Sequence, residues 1–435
     1  GTLPFPEGRS MIPLLIALLS VAPAAGGGSE EDPAWLHVRG GLPWTHVMLE
    51  KRGAVRVVFL GGSITEGAGY RPLVEQGLRE RYPQVEWTFV NAGISSTGST
   101  TGVFRARDAI SVDGRAAAGV TLLIAEAAVN DDQDEKLPAG EAGWGMEGVA
   151  RMPAGPPSSA ILERMFVHFP NPAIVEKLRS GEDPISVAAH EAVAERYDIP
   201  SVNVAAEVAR RIDEGTLTWE QYGGTHPGPV GHQLAADMIL EAIARSTVPQ
   251  RRGERDRVAR RRRNLEKRDV PEAGPLRPDA VDRAELRAPA ALGEGITVGD
   301  GWQTGQPDWD ALPGSSRSRF ERDPLLYTTD PGATLTFDPA AAPFTALGLF
   351  VLAGPDAGAV EVSVPGEEPK TVQLYHEHSK GLHYPRTVLL YRSDKPPAGP
   401  VTAKVVKGDR GGTAVRIVGV GLGFITRNRA DAASR

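Results

Sequence analysis

The chain runs to 435 residues, 41% of them hydrophobic, enough for two domains and a large buried core. Its formal net charge of −7 argues against nucleic acid as a partner. The absence of cysteine excludes disulfides, thiolate zinc sites and a cysteine nucleophile.

The first readable segment runs from Met11 to Ala25, a short apolar stretch with Arg9 before it, small residues at Ala22-Pro23-Ala24 and three glycines after it. It reads as a secretory signal segment over residues 1–27, too short for a membrane span. It predicts an exported protein, periplasmic or extracellular, with no span left once it is removed. From Asp32 to about Thr247, β-rich apolar runs alternate with helical stretches, the pattern of βαβ units and a parallel sheet covered on both faces. Strands are predicted at Val55 to Leu60, Val85 to Val90, Val120 to Ala125 and Ser201 to Val204. Helices are predicted at Arg71 to Tyr82, at Ile185 to Tyr197 and from near Gly231 onward. This α/β domain takes residues 28–248.

Between Pro249 and Pro275 the sequence turns Arg-rich and apolar-poor, with four consecutive arginines at Arg260 to Arg263, and residues 249–285 read as a solvated basic linker. Residues 286–426 change pattern again. Short strand-like runs at Ala346 to Ala353, Ala359 to Val364, Lys370 to Tyr375, Arg386 to Tyr391, Val401 to Val406 and Ala414 to Val420 are separated by Gly, Pro and Asp, with no helical stretch between them. An antiparallel, jelly-roll-like β-sandwich fits that spacing.

Four polar groups follow predicted strands of the first domain or precede its last helix: Ser63 in Gly61-Gly62-Ser63-Ile64-Thr65, Gly93 in Asn91-Ala92-Gly93, Asn130 in Val129-Asn130-Asp131, and His226 in Thr225-His226-Pro227. A parallel sheet delivers all of them to its C-terminal edge, where open α/β folds place their ligands. A serine hydroxyl needs a neighbouring base to become a nucleophile at neutral pH, and His226 is the histidine placed to serve.

In order and residue type, Ser63, Gly93, Asn130 and His226 resemble the SGNH (GDSL-type) hydrolase superfamily, over roughly the first half of the chain. The resemblance implies a flavodoxin-like three-layer domain with Ser63 as nucleophile and His226 as general base. It also implies an oxyanion hole made by the N–H of Ser63, the N–H of Gly93 and the amide of Asn130, with neither cofactor nor metal. Joined to a jelly-roll-like domain, the arrangement resembles bacterial two-domain carbohydrate acetylesterases and implies hydrolysis of small acyl esters, chiefly acetyl, on a carbohydrate substrate. The sequence departs from the pattern at Gly62, where the family carries Asp, at Ala128, where it carries Gly, and at Gly223, where the third triad member stands as an aspartate three residues before the histidine. With Gly223 there, a backbone carbonyl of Gly223-Gly224, Glu220 or Asp131 are the candidates for orienting the imidazole.

Each position also has a plain structural reading: a helix cap for Ser63, a turn for Gly93, a loop brace for Asn130, a bonded structural histidine for His226. His190 is a candidate substrate contact against the commoner helix-surface histidine, and Glu126 is an odd residue inside an apolar strand, to be paired by Arg or backbone donors or to hold the Asn130 loop. The close trio His376, His378 and His383 suits a glycan contact better than zinc. Two other functions stay open at this point, a non-catalytic glycan-binding protein kept alive by Gly223, and a lipase- or thioesterase-type enzyme on the same fold. An α/β-hydrolase lipase is disfavoured because Thr65 stands where its Gly-x-Ser-x-Gly elbow needs glycine.

Overall fold

The computed structural model describes residues 31–112, 115–116, 119–155, 160–247 and 273–426. The expected signal segment, residues 1–27, lies outside the described residues, as do residues 249–272 of the basic linker. The strands and helices below all belong to one compact unit, Ala34–Arg435.

Six strands, β1 (Leu36–His37), β2 (Ala54–Gly61), β3 (Glu86–Gly93), β4 (Gly119–Ala125), β5 (Ala160–His168) and β6 (Ser201–Asn203), form one sheet in the order β1-β6-β5-β4-β2-β3. All neighbours are parallel except the short β1, which runs antiparallel to β6. Leaving β1 aside, this is the flavodoxin-like order, and its switch point falls between β2 and β4. Successive residues of β2 point to opposite faces, and both faces are covered. Val57 and Phe59 pack with α3 (Tyr70–Arg81), α8 (Val204–Asp213) and α10 (Pro229–Ser246), whereas Val58 and Leu60 pack with α4 (Ser99–Ile110), α5 (Trp144–Arg151) and α7 (Ile185–Arg196). Among the described residues, further helices are α1 (Pro43–Lys51), α2 (Ser63–Glu66), a single turn at Ala139–Ala142, α6 (Pro172–Arg179) and α9 (Trp219–Tyr222).

The second domain is a sandwich of two antiparallel sheets. One holds Ile296–Val298, Thr334–Phe337, Val401–Val406, Ala359–Ser363 and Lys370–Gln373. The other holds Gln303–Gly305, Leu325–Thr328, Val415–Phe424, Ala346–Ala353 and Tyr384–Arg392, with Arg283–Arg287 paired on Val415–Phe424. The first sandwich strand thus begins three residues inside the expected linker, and the chain before it is already docked. Ala280 and Val281 are buried, and Leu276 N–H donates to the buried Glu147 (2.5 Å).

The seam between the domains is an apolar lock. Gly348 and Gly421 face each other across Ala346–Ala353 and Val415–Phe424, and the Phe104 ring of α4 fills the hollow they leave. A Cβ on Gly421 would lie 2.6 Å from that ring and one on Gly348 3.1 Å from it. Phe104 is fully buried, and beside it the hydroxyls of Thr101 and Thr387 bond at 2.9 Å. Phe104→Ala is expected to cost about 3–5 kcal/mol, the usual price of emptying a buried aromatic site, read as a shifted urea midpoint.

Candidate active site

Strand β2 ends at Gly61, and α2 starts at Ser63. Both intervening glycines are dictated by close approach: a Cβ on Gly61 would meet Glu126 Oε1 at 2.0 Å, and one on Gly62 would meet Asn130 Oδ1 at 2.1 Å. Ser63 therefore stands at the switch point, with the Asn130 amide packed against the residue before it. Its Oγ lies 2.7 Å from His226 Nε2, across 163 residues of sequence. The Ser63 N–H is the first of α2, a position with no acceptor inside the helix.

His226 is exposed in the loop between α9 and α10. This loop explains why the carboxylate expected three residues earlier is missing. Gly223 sits at φ +106°, and a Cβ there would lie 1.9 Å from the Gly228 nitrogen. No aspartate fits that turn. Neither alternative carboxylate replaces it: among the described residues, no hydrogen bond joins Glu220 or Asp131 to His226. Glu220 is exposed in α9. Asp131 is fully buried, with Oδ2 2.9 Å from His190 Nε2 and Oδ1 accepting the Ser99 N–H at 2.8 Å.

The same pairing corrects the expectation for His190. Its ring is wholly buried against Asp131 and the Ala142 carbonyl (3.1 Å), so it braces the Asn130 loop from behind and meets no substrate. Gly93 also takes a different part. Its N–H donates to Asn91 Oδ1 (2.9 Å), which commits it within its own turn, and a Cβ there would run into the Glu66 backbone at 2.3 Å. Glycine is needed at 93 so that α2 can pack on β3.

Several residues at this edge went unread or half-read in the sequence. Glu126 holds the turn Gly62–Thr65 and not the Asn130 loop: its Oε1 accepts the Gly62 N–H and the Thr65 hydroxyl, both at 2.7 Å, and burial raises its pKa. Arg105, on the buried face of α4, donates to Ala92 O (2.6 Å) and Gly61 O (3.0 Å), tying the ends of β2 and β3. Burial, then the neighbouring Arg319 charge, lowers its pKa to about 9, which leaves it cationic at neutral pH. A lone arginine within the apolar face Val103, Phe104, Ala106 was the available signal for it.

The sandwich supplies the rest. Arg319 bonds the Glu66 carboxylate and the Gly93 carbonyl (2.9 Å), and Arg317 bonds Ser95 O (2.8 Å) and Ser96 Oγ (2.9 Å). The Tyr384 hydroxyl donates to Ser96 O (3.3 Å). Ser96 has a left-handed backbone, φ +69°, in the loop these contacts pin. For Glu66, burial pushes the pKa up, but the bonds from Ser95 and the Arg319 charge outweigh it and hold the carboxyl below its usual range. Of the three histidines read as a glycan contact, His376 is buried at the seam, His383 is buried against Trp309 (5.1 Å), and His378 is half exposed.

No family model matches the sequence, and no curated protein does. Solved structures do match. A two-domain esterase (CEX) active on acetylated mannans superposes with a TM-score of 0.61 at 18% identity, over 90% of this chain and 98% of that one. The same esterase co-crystallised with mannopentaose gives 0.61 at 17%, over 90% and 97%. This chain has the two-domain esterase fold. Axe2, an acetylxylan esterase from Geobacillus stearothermophilus, matches 45% of the chain at 17% identity with a TM-score of 0.33.

The buried carboxylate offers a direct check on the turn that carries Ser63. Glu126→Ala strands the Gly62 N–H and Thr65 hydroxyl and is expected to destabilise by on the order of 2 kcal/mol, whereas Glu126→Gln keeps an acceptor and removes a buried charge. Because burial raises the Glu126 pKa, its stabilising protonated form is fully present in acid and is lost as pH rises through the folded pKa. Denaturation curves should therefore show Glu126→Gln gaining on wild type as pH increases; a gap that narrows with pH contradicts the assignment.

Proposed function

We propose that the chain is a serine esterase that removes small acyl groups, acetyl foremost, from a carbohydrate. The observation that carries this reading is the 2.7 Å approach of Ser63 Oγ to His226 Nε2 at the sheet's switch point, beside Asn130. With Nε2 as acceptor, the imidazole carries its proton on Nδ1 and takes the serine proton as Oγ attacks the ester carbonyl. The charge that develops on the carbonyl oxygen is met by the Ser63 N–H and by the Asn130 amide. Collapse expels the sugar hydroxyl, which takes the proton back from His226, and water then repeats the cycle on the acyl-serine to release the acid. Every group in the sequence is a protein group.

The carbohydrate preference draws its support from the shared fold with the esterase active on acetylated mannans, which extends over both domains. Export rests on the apolar segment Met11 to Ala25. No helix among the described residues is long and apolar enough to cross a membrane.

A fluorophosphonate probe is expected to label wild type and not Ser63→Ala. On p-nitrophenyl acetate, His226→Ala should lower kcat by about 10²–10⁴-fold and Asn130→Ala by about 10²–10³-fold without unfolding the protein. Acetate release from acetylated mannan, compared with acetylated xylan, assigns the polymer. Folded protein that neither labels nor releases acetate would overturn the esterase reading in favour of a glycan-binding protein.

A further inference from the structure

Asn130 opens a five-residue π-type turn, Asn130–Asp134, which brings its side chain onto the same face as Asp134. Its Nδ2 donates to Asp134 Oδ2 at 2.6 Å, and both residues are buried. One of the two amide hydrogens is thereby fixed, and because the amide is planar, the direction of the other is fixed with it. Asp134 is held from its own turn, where Gln133 Nε2 donates to Oδ1 at 3.4 Å, and from the other domain. His376 Nε2–H donates to the Asp134 carbonyl at 2.9 Å, and His378 Nε2 lies 3.4 Å from Asp134 Oδ1.

The His376 ring is itself held on three sides. Its Nδ1 accepts the His378 backbone N–H (3.2 Å), which leaves the proton on Nε2 as the bond to Asp134 requires. Its own backbone N–H is bonded by Ser379 Oγ (3.1 Å), and its plane stacks on Tyr384 at 4.4 Å and 10°. Burial depresses its pKa, so the neutral tautomer persists. A polar group so fully satisfied at a buried seam is ordered, and whatever it bonds inherits that order.

We propose that His376 of the sandwich is a positioning residue for Asn130, acting through Asp134, so that the second domain sets the direction of an oxyanion donor in the first. This rests on the esterase reading above and assigns the sandwich a part in it. His376 touches no substrate; it fixes the turn that fixes the amide. The effect belongs to the transition state, where charge reaches the carbonyl oxygen, and so falls on kcat and not on KM.

The test is a double-mutant cycle on p-nitrophenyl acetate with the full chain. His376→Ala is expected to lower kcat by about tenfold with KM within about twofold, and Asp134→Ala to do the same or more, both below the loss from Asn130→Ala itself. His376→Gln, which keeps a side-chain N–H, and Asp134→Asn, which keeps an acceptor, should recover part of the loss. The deciding result is the N130A background, where His376→Ala should have almost no further effect because the donor it directs is gone. Lys136→Met breaks another ion pair at the same seam, Lys136 to Glu377 (2.9 Å), and should leave kcat within about twofold. Should His376→Ala cost the same in both backgrounds, or act on KM alone, the positioning role is overturned while the esterase reading stands. Loss of the esterase reading has a different mark: turnover by wild type that persists in Ser63→Ala. If His376→Ala does not fold, the cycle is run with His376→Gln.

Discussion

Every strand of a parallel sheet ends at one edge, and the backbone groups released there must find partners outside the ladder. Here that requirement shapes the site. Gly61 O takes the Ile94 N–H and Arg105, Ala92 O takes Arg105, and Gly93 O takes Arg319. The Gly62 N–H goes to Glu126, and the carbonyls of Ser95 and Ser96 go to Arg317 and Tyr384. Buried charges of the first domain, with Arg319 of the second, therefore satisfy the strand ends, and side chains of the second satisfy the loop beyond them. The serine can stand at this edge because everything around it is already bonded.

The histidine is held by other means. A turn at Gly223 lets the Gly228 N–H reach Tyr222 O (2.8 Å), and buried Tyr222 and Pro227 anchor the loop on both sides of His226. The turn fixes the backbone on both sides of His226, but unlike the carboxylate of a triad it places no negative charge beside the ring. An ester asks less of the imidazolium than an amide, since its leaving alkoxide needs weaker acid assistance than an amine. The missing carboxylate and the proposed substrate class are thus consistent with each other.

Much of this was legible in the sequence, and the failures have physical causes. Strands β2 and β4 announce themselves as apolar runs broken only by Arg56 and Thr121 because both their faces are covered, and the edge strand β3 shows through the mixed run Val85 to Val90, in which Glu86 and Thr88 are exposed. Strand β5 was missed because Glu163 and Arg164 interrupt it. Pointing to opposite faces, Glu163 accepts the Trp44 and Thr45 N–H groups at the start of α1 (both 2.8 Å), while Arg164 bonds Val149 O (2.9 Å) and Met152 O at the end of α5. Charges of the right sign for each helix end replace hydrophobic side chains, and periodicity cannot register that. Ser63, Asn130 and His226 were legible from their positions relative to strands and helices. The partners Asp131–His190 and Asp134–His376 were not, because 59 and 242 residues separate them.

The seam decides what kind of two-domain protein this is. A binding module tethered by a linker meets its neighbour through a wet, polar surface and moves against it. Here an aromatic ring from α4 fills a hollow made by two paired glycines of the sandwich, a contact that only a fixed arrangement tolerates. Arginines, a tyrosine and a histidine of the sandwich also complete hydrogen bonds to the carbonyls of Gly93, Ser95, Ser96 and Asp134 in the first domain. Leaving those groups unpaired in a buried site would cost on the order of 1–3 kcal/mol each. The first domain is therefore incomplete as a folded surface without the second, and the sandwich is better regarded as part of the structure around this sheet edge than as an appendage to it.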